Sequence, residues 1–206
     1  MIMLKPISNT IQGVINFTWP MVVISIIILV SIRVCYLIKA KEKLVLYKEL
    51  SMLIFGIYIL CLFQVVTFQD DVSWATNNFI PFEEIMRYNI TSRLFFKNVL
   101  GNMIMFLPFG FFVSYYLKSE RLTLPVFLIL IASISIEVVQ LLIGRVFDVD
   151  DIILNILGGL LGYLIYFVLR RIAEHLPSFT KREWFLNTLA IVIFIGLITG
   201  LVFIVI

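Results

Sequence analysis

Long, almost uninterrupted apolar runs leave this sequence few folds to choose from. A membrane-spanning helix needs about 20 mostly apolar residues. Six runs meet or approach that length: 20–38, 50–67, 99–117, 122–143, 152–169 and 184–206. Hydrophobic residues make up 62% of the 206 positions and charged residues 14%, against about 45–50% and about 25% in soluble domains. The chain therefore reads as an all-α, polytopic integral membrane bundle of six transmembrane helices, with a short interfacial helix added below. Its organisation reads as an N-terminal anchor and basic connector (1–49), a central membrane domain (50–170), and a second basic connector with a final span (171–206). No internal repeat or low-complexity segment breaks this pattern.

The first run is broken only by Arg33 and is flanked by Trp19 and Tyr36, residue types that anchor spans at the interface. It is too long for a signal peptide, and Lys39-Ala40-Lys41 follows it instead of a small-residue cleavage site, so it is expected to remain as an anchor. Cys35 and Cys61 both lie in apolar runs, with no C-x-x-C pair and no nearby His, which argues against a disulfide framework or a zinc site. A net charge of +3 gives no reason to expect a nucleic-acid partner. The expected partner is the lipid bilayer.

The distribution of charge orients the spans. Ten basic residues fall on one side (Lys39, Lys41, Lys43, Lys48, Lys118, Arg121, Arg170, Arg171, Lys181 and Arg182) and five on the other (Lys5, Arg87, Arg93, Lys97 and Arg145). The richer side is expected to be cytoplasmic, which places both termini outside. Asp70, Asp71, Glu83, Glu84, Asp148, Asp150 and Asp151 then all face out. Within the long connector 68–98, Pro81 can open a helix, and Phe82, Ile85, Met86, Ile90 and Leu94 recur at helical spacing. That pattern predicts a short amphipathic helix at the outer interface.

Polar residues concentrate in one place, 137–162. On the fourth span Glu137, Gln140 and Gly144 share a face, with Arg145 nearby. Glu137 sits about six residues from the outer end, or roughly 9 Å at 1.5 Å per residue, so it should face protein or water and not lipid. On the fifth span Asp151, Asn155, Gly158 and Gly162 form one stripe, and Gly158-x-x-x-Gly162 is a small-residue pattern that admits a close helix neighbour. Asp148 can cap that helix, with Asp151 favoured in its first turn. On the third span Asn98, Asn102, Phe106 and Phe109 share a face, and Pro108 removes a backbone donor mid-helix.

These side chains can converge. Asn98, Asn102, Glu137, Gln140, Arg145, Asp148, Asp151 and Asn155 are the candidate binding residues of an outward-opening polar pocket between the third, fourth and fifth spans. Its chemistry stays open between classes. A structural Glu137 that ties helices together is one reading, and a proton-coupled transporter working through Glu137 is another. A membrane enzyme using Glu137, Asp148 and Asp151 on a lipid-linked substrate is a third. No nucleophile–base pair stands out. The acids match no metal-loop spacing, so neither a metal site nor a cofactor is expected, although hard cations do take oxygen ligands.

The same residues carry a family resemblance over about 54–169. Asn78-Phe79-Ile80-Pro81-Phe82 comes first, then Asn98-x-x-x-Asn102 and Phe106-x-Pro108-Phe109-Gly110. Glu137-x-x-Gln140, Arg145, Asp148-x-x-Asp151 and Asn155-x-x-Gly158-x-x-x-Gly162 follow. In this order and spacing they resemble the VanZ-like membrane proteins, a group that includes determinants of resistance to glycopeptides such as teicoplanin. The resemblance implies a multi-pass protein of the bacterial plasma membrane that lowers sensitivity to teicoplanin-type glycopeptides. It brings no catalytic residues with it. Joined to the polar pocket, it implies binding of an envelope lipid or lipid-linked wall precursor.

Overall fold

The computed structural model describes residues 5–67, 77–89, 92 and 94–205. Asp70, Asp71, Ile90 and Arg93 lie outside them. The described residues form α1 (Lys5–Ala40), α2 (Leu46–Thr67), α3 (Glu83–Arg87), α4 (Gly101–Leu117), α5 (Thr123–Leu142), α6 (Val149–His175) and α7 (Glu183–Val205). A π-helical turn, Phe95–Leu100, leads into α4, and a 3₁₀ turn, Ser178–Lys181, precedes α7. The all-α expectation holds.

Among the described residues, five helices are long and apolar enough to cross a membrane: Trp19–Ala40, Leu46–Thr67, Asn98–Leu117, Thr123–Leu142 and Val149–His175. The sixth expected span is helical throughout Glu183–Val205, but the apolar part counted among the described residues, Glu183–Leu197, falls short of full span length. Side chains such as Ile24, Ile27, Ile32, Leu142, Leu164 and Val192 stay exposed on these helices, as lipid-facing positions should.

The connector helix is shorter than its apolar spacing suggests. α3 covers only Glu83–Arg87, because Tyr88 adopts an extended backbone and ends it. Phe82 precedes the helix in a left-handed conformation with φ 70°, and Leu94 belongs to the start of the next helical segment. Pro81 thus lies in the turn before the helix.

The chain divides into two compact units. In one, residues 1–65 with 176–206, Arg33 makes a two-pronged pair with Glu49 at 2.8 and 2.9 Å, linking α1 to the first turn of α2. Asn187 of α7 accepts the Tyr47 N–H at 2.9 Å. Arg33, the one charge inside the first apolar run, therefore has a half-buried partner.

The second unit, residues 66–175, holds the family-like motifs. α4 and α6 run parallel, since Asn102 meets Asp151, Leu107 meets Gly162 and Phe111 meets Tyr166. Apolar burial does little to hold helices together in lipid, so van der Waals packing and hydrogen bonds must. Small residues permit that packing. A Cβ on Gly158 would lie 2.0 Å from the Met103 carbonyl oxygen, one on Gly162 2.0 Å from that of Leu107, and one on Gly110 1.9 Å from that of Gly159. Backbones this close give Cα–H···O contacts and dense packing along a whole helix face. α5 covers the seam: Ile129 is fully buried and lies where a Cβ on Gly159 would meet its side chain at 2.7 Å. Pro108 sits within α4 without ending it.

Gly158→Ala should therefore force α4 and α6 apart and cost about 1–3 kcal/mol, as overpacking does. Gly196→Ala in α7, with nothing within 4 Å, should change stability by less than about 0.5 kcal/mol. Thermal unfolding in detergent micelles compares the two. Equal melting temperatures would contradict the close seam.

Candidate functional site

The site grows from the turn that ends α5. Gly144 takes φ 84°, which a side chain would strain. Its N–H donates to the Leu141 carbonyl at 3.1 Å, and the Arg145 N–H donates to that of Gln140 at 2.9 Å. These two bonds form a Schellman cap and turn the chain back over α5. The guanidinium then follows. Arg145 Nη1 donates at 2.7 Å to the carbonyl of Val66, in the last turn of α2, where the helix dipole favours a cation.

Gln140 joins Arg145 to Glu137. With its amide nitrogen towards Glu137, it donates to Oε1 at 2.9 Å, and its oxygen accepts from Arg145 Nη1 at 3.2 Å. In the opposite orientation the nitrogen would only approach the Val66 carbonyl at 3.4 Å, so the first arrangement satisfies the amide better. Glu137 is 1% exposed. Its other oxygen, Oε2, accepts the Asp148 N–H at 3.0 Å.

The acidic connector resolves into separate duties. Asp148 caps α6 by accepting the Asp150 N–H at 2.8 Å, as the sequence suggested. It also accepts the Asn78 amide at 2.9 Å. Asn78 lies beside the connector in a short parallel bridge, its N–H on the Phe147 carbonyl at 2.9 Å and its carbonyl on the Val149 N–H at 3.1 Å. Asn77 accepts the Phe147 N–H at 3.0 Å, and the Phe79 and Phe147 rings stack at 5.4 Å. Asp150, 1% exposed, turns away to hold α3, accepting the Phe82 N–H and, at 3.1 Å, the Ile85 N–H.

Two polar layers remain beneath this clasp. Asp151 accepts the Asn102 amide, joining α6 to α4. One turn deeper, Asn155 donates to Ser133 Oγ of α5 at 3.0 Å. Asn155 is 2% exposed, and its Oδ1 is buried without a hydrogen-bond partner.

Of the eight sequence candidates, seven gather at this end of α4, α5 and α6. Asn98 takes a different partner: its amide donates to the Tyr88 hydroxyl at 2.8 Å. The π-helical turn Phe95–Leu100 has one more residue per hydrogen-bonded ring than an α-helix, and this breaks the register that set Asn98 above Asn102. Reasoning from the sequence left three residues out. Ser133 carries a readable signal, one turn below Glu137 on the buried face of α5. Asn78 figured only within the family motif. Asp150 gave no local signal, since its partner Phe82 is 68 positions away.

Chemically, the cluster offers carboxylate and amide oxygens with one guanidinium at the rim. Among the described residues, no group of three or more His, Cys, Asp or Glu is placed to hold a metal ion. Glu137, Asp148 and Asp150 each accept backbone N–H groups, whereas Asp151 accepts only the Asn102 side-chain amide among the described residues.

Long apolar helices that hide their polar side chains at one end of a glycine-packed bundle define a multi-pass membrane protein. The chain belongs to the VanZ/LLP1 family, which it matches over residues 55–170. It is 32% identical over 73 residues to Protein VanZ of Enterococcus faecium, a match covering 34% of this chain and 45% of that protein. The chain thus aligns with less than half the length of that relative. No solved structure matches it.

If Asp150 holds α3, Asp150→Ala should release two N–H groups at once. Each lost hydrogen bond to a charged group is worth about 1.5–3 kcal/mol, so amide exchange at Phe82 and Ile85 should accelerate by at least about tenfold. Hydrogen–deuterium exchange in detergent checks this; unchanged rates would contradict the assignment.

Proposed function

We propose that the protein binds the polar head of an envelope lipid or lipid-linked wall precursor at the α4–α6 site, and thereby lowers sensitivity to teicoplanin-type glycopeptides. The observation that carries this reading is the cluster of Asn102, Glu137, Gln140, Arg145, Asp151 and Asn155 within the family-matched segment, at one end of membrane-length helices. In this reading a polar cluster at the end of membrane-length helices lies at the level of lipid head groups. Arg145 brings charge-assisted donors suited to phosphate, and the carboxylates and amides suit hydroxyl and amine groups. Membership of the VanZ/LLP1 family supports the glycopeptide connection.

In this reading the site opens outward. The excess of Lys and Arg on the connectors 39–48, 118–121 and 170–182 supports a cytoplasmic placement for them, which sets both termini and the Gly144–Asp148 turn outside. Membrane-impermeant thiol reagents test it. With Cys35 and Cys61 replaced, a Cys introduced at Arg182 should be protected in whole cells and one at Phe147 labelled. The reverse pattern would contradict the orientation.

The functional test compares teicoplanin susceptibility of a deletion strain complemented with wild type, Arg145→Ala or Asp151→Asn at matched abundance. Wild type should restore the lower sensitivity, and both variants should lose it. Equal susceptibility in every strain, the deletion included, would remove the resistance reading.

A further inference from the structure

The hydrogen-bond inventory of the site is lopsided. Asn102 spends its amide nitrogen on Asp151 Oδ1, and its own Oδ1 receives no donor among the described residues. Asp151 Oδ2 receives none either. Asn155 Oδ1, on the same stripe of α6 one turn below Asp151, is sealed from solvent and unpartnered. A buried acceptor without a donor is costly, and native structures rarely tolerate one unless a water, ion or ligand completes it. Asn155 Oδ1 is that buried acceptor, and the Asn102 and Asp151 oxygens also lack donors, on half-buried residues.

Charge is lopsided too. Glu137 and Asp151 face a single cation, Arg145, and the donors that reach them are neutral amide and backbone N–H groups. Holding carboxylates away from water without matching positive charge costs several kcal/mol per ion. Only Nη1 of Arg145 is engaged, with Val66 and Gln140; its remaining N–H groups have no acceptor among the described residues. The vacant donors thus lie on exposed Arg145, two vacant acceptors on half-buried Asn102 and Asp151, and the third, on Asn155, is buried.

We propose that this site takes a zwitterionic, amine-bearing phospholipid head, with the primary ammonium among Asp151, Asn102 and Asn155 and the phosphate on Arg145. The proposal rests on the lipid-binding reading above and narrows it to one head-group class. A primary ammonium brings one positive charge and three N–H donors, matching the three vacant acceptors and the excess carboxylate. A trimethylated ammonium has the charge but no N–H to give. A glycerol head has neither the charge nor a means of offsetting Glu137 and Asp151. The phosphate takes the unused side of the guanidinium, in the charge-assisted geometry that Arg favours.

The test is native mass spectrometry of the full-length, delipidated protein in detergent, titrated with phosphatidylethanolamine, phosphatidylcholine and phosphatidylglycerol of identical acyl chains. Phosphatidylethanolamine should bind about tenfold or more tightly than the other two, the worth of a hydrogen bond to a charged group. Asp151→Asn should erase that preference, and Arg145→Gln should weaken all three lipids. The wild-type ranking decides the matter even if a variant fails to fold. Equal binding of the three lipids, or tightest binding of phosphatidylglycerol, would overturn the amine assignment and leave the lipid-binding reading standing. Soluble phosphoethanolamine binding as tightly as its lipid would overturn the lipid source. Binding of no lipid by folded protein would remove both readings.

Discussion

The close approach of the α4 and α6 backbones governs everything at the polar end of the bundle. In lipid, helices gain little from burying apolar surface against each other, because hydrocarbon is already an apolar solvent. They gain from contact density, and Gly110, Gly158, Gly159 and Gly162 bring peptide groups to distances that any side chain would prevent. The same approach sets the amide of Asn102 against the carboxylate of Asp151. Above the seam, Asp148 and Asp150 clasp the 77–85 segment and cap two helices. Below it, Asn155 and Ser133 tie α6 to α5. Packing and polar chemistry here are one construction, since a side chain in the seam would also separate the site's two walls.

The acids of the connector show how misleading a count of charges can be. Four carboxylates within fifteen positions suggest an anionic site. Three of them accept backbone N–H groups instead, each for a different element: Glu137 for the connector, Asp148 for its own helix and Asp150 for a helix far back in the chain. Helix N-termini and loop N–H groups favour such partners. Asp151 alone of the four meets only a side-chain amide, that of Asn102 on the facing helix, among the described residues.

How much of this could be read from the sequence depended on the range of the interaction involved. The spans were legible because hydrophobic length is a local property. The glycine surface was legible because a four-residue period is local too. Glu137, Gln140 and Arg145 were grouped correctly on helical spacing, although the Schellman turn at Gly144 is what carries Arg145 back to Gln140. Asn98 lies in a π-helical turn, which ordinary 3.6-residue periodicity does not anticipate, and its amide bonds to Tyr88. Ile85 and Met86 belong to α3, but Phe82 and Leu94 do not, because capping by Asp150 and the extended backbone of Tyr88 set that helix's limits. The clasp between Asn78 and Asp148 spans 70 positions, and nothing in either segment alone announces it.

The central claim is that the seam presents Asn102 and Asp151 to each other as one energetic unit on two helices. A double-mutant cycle measures this directly, using Asn102→Ala, Asp151→Ala and the double variant, each unfolded in the same detergent. The account predicts a coupling free energy clearly above the roughly 0.3–0.5 kcal/mol scatter of independent sites. Effects that add within that scatter would show that the two side chains do not act together, and would contradict the account.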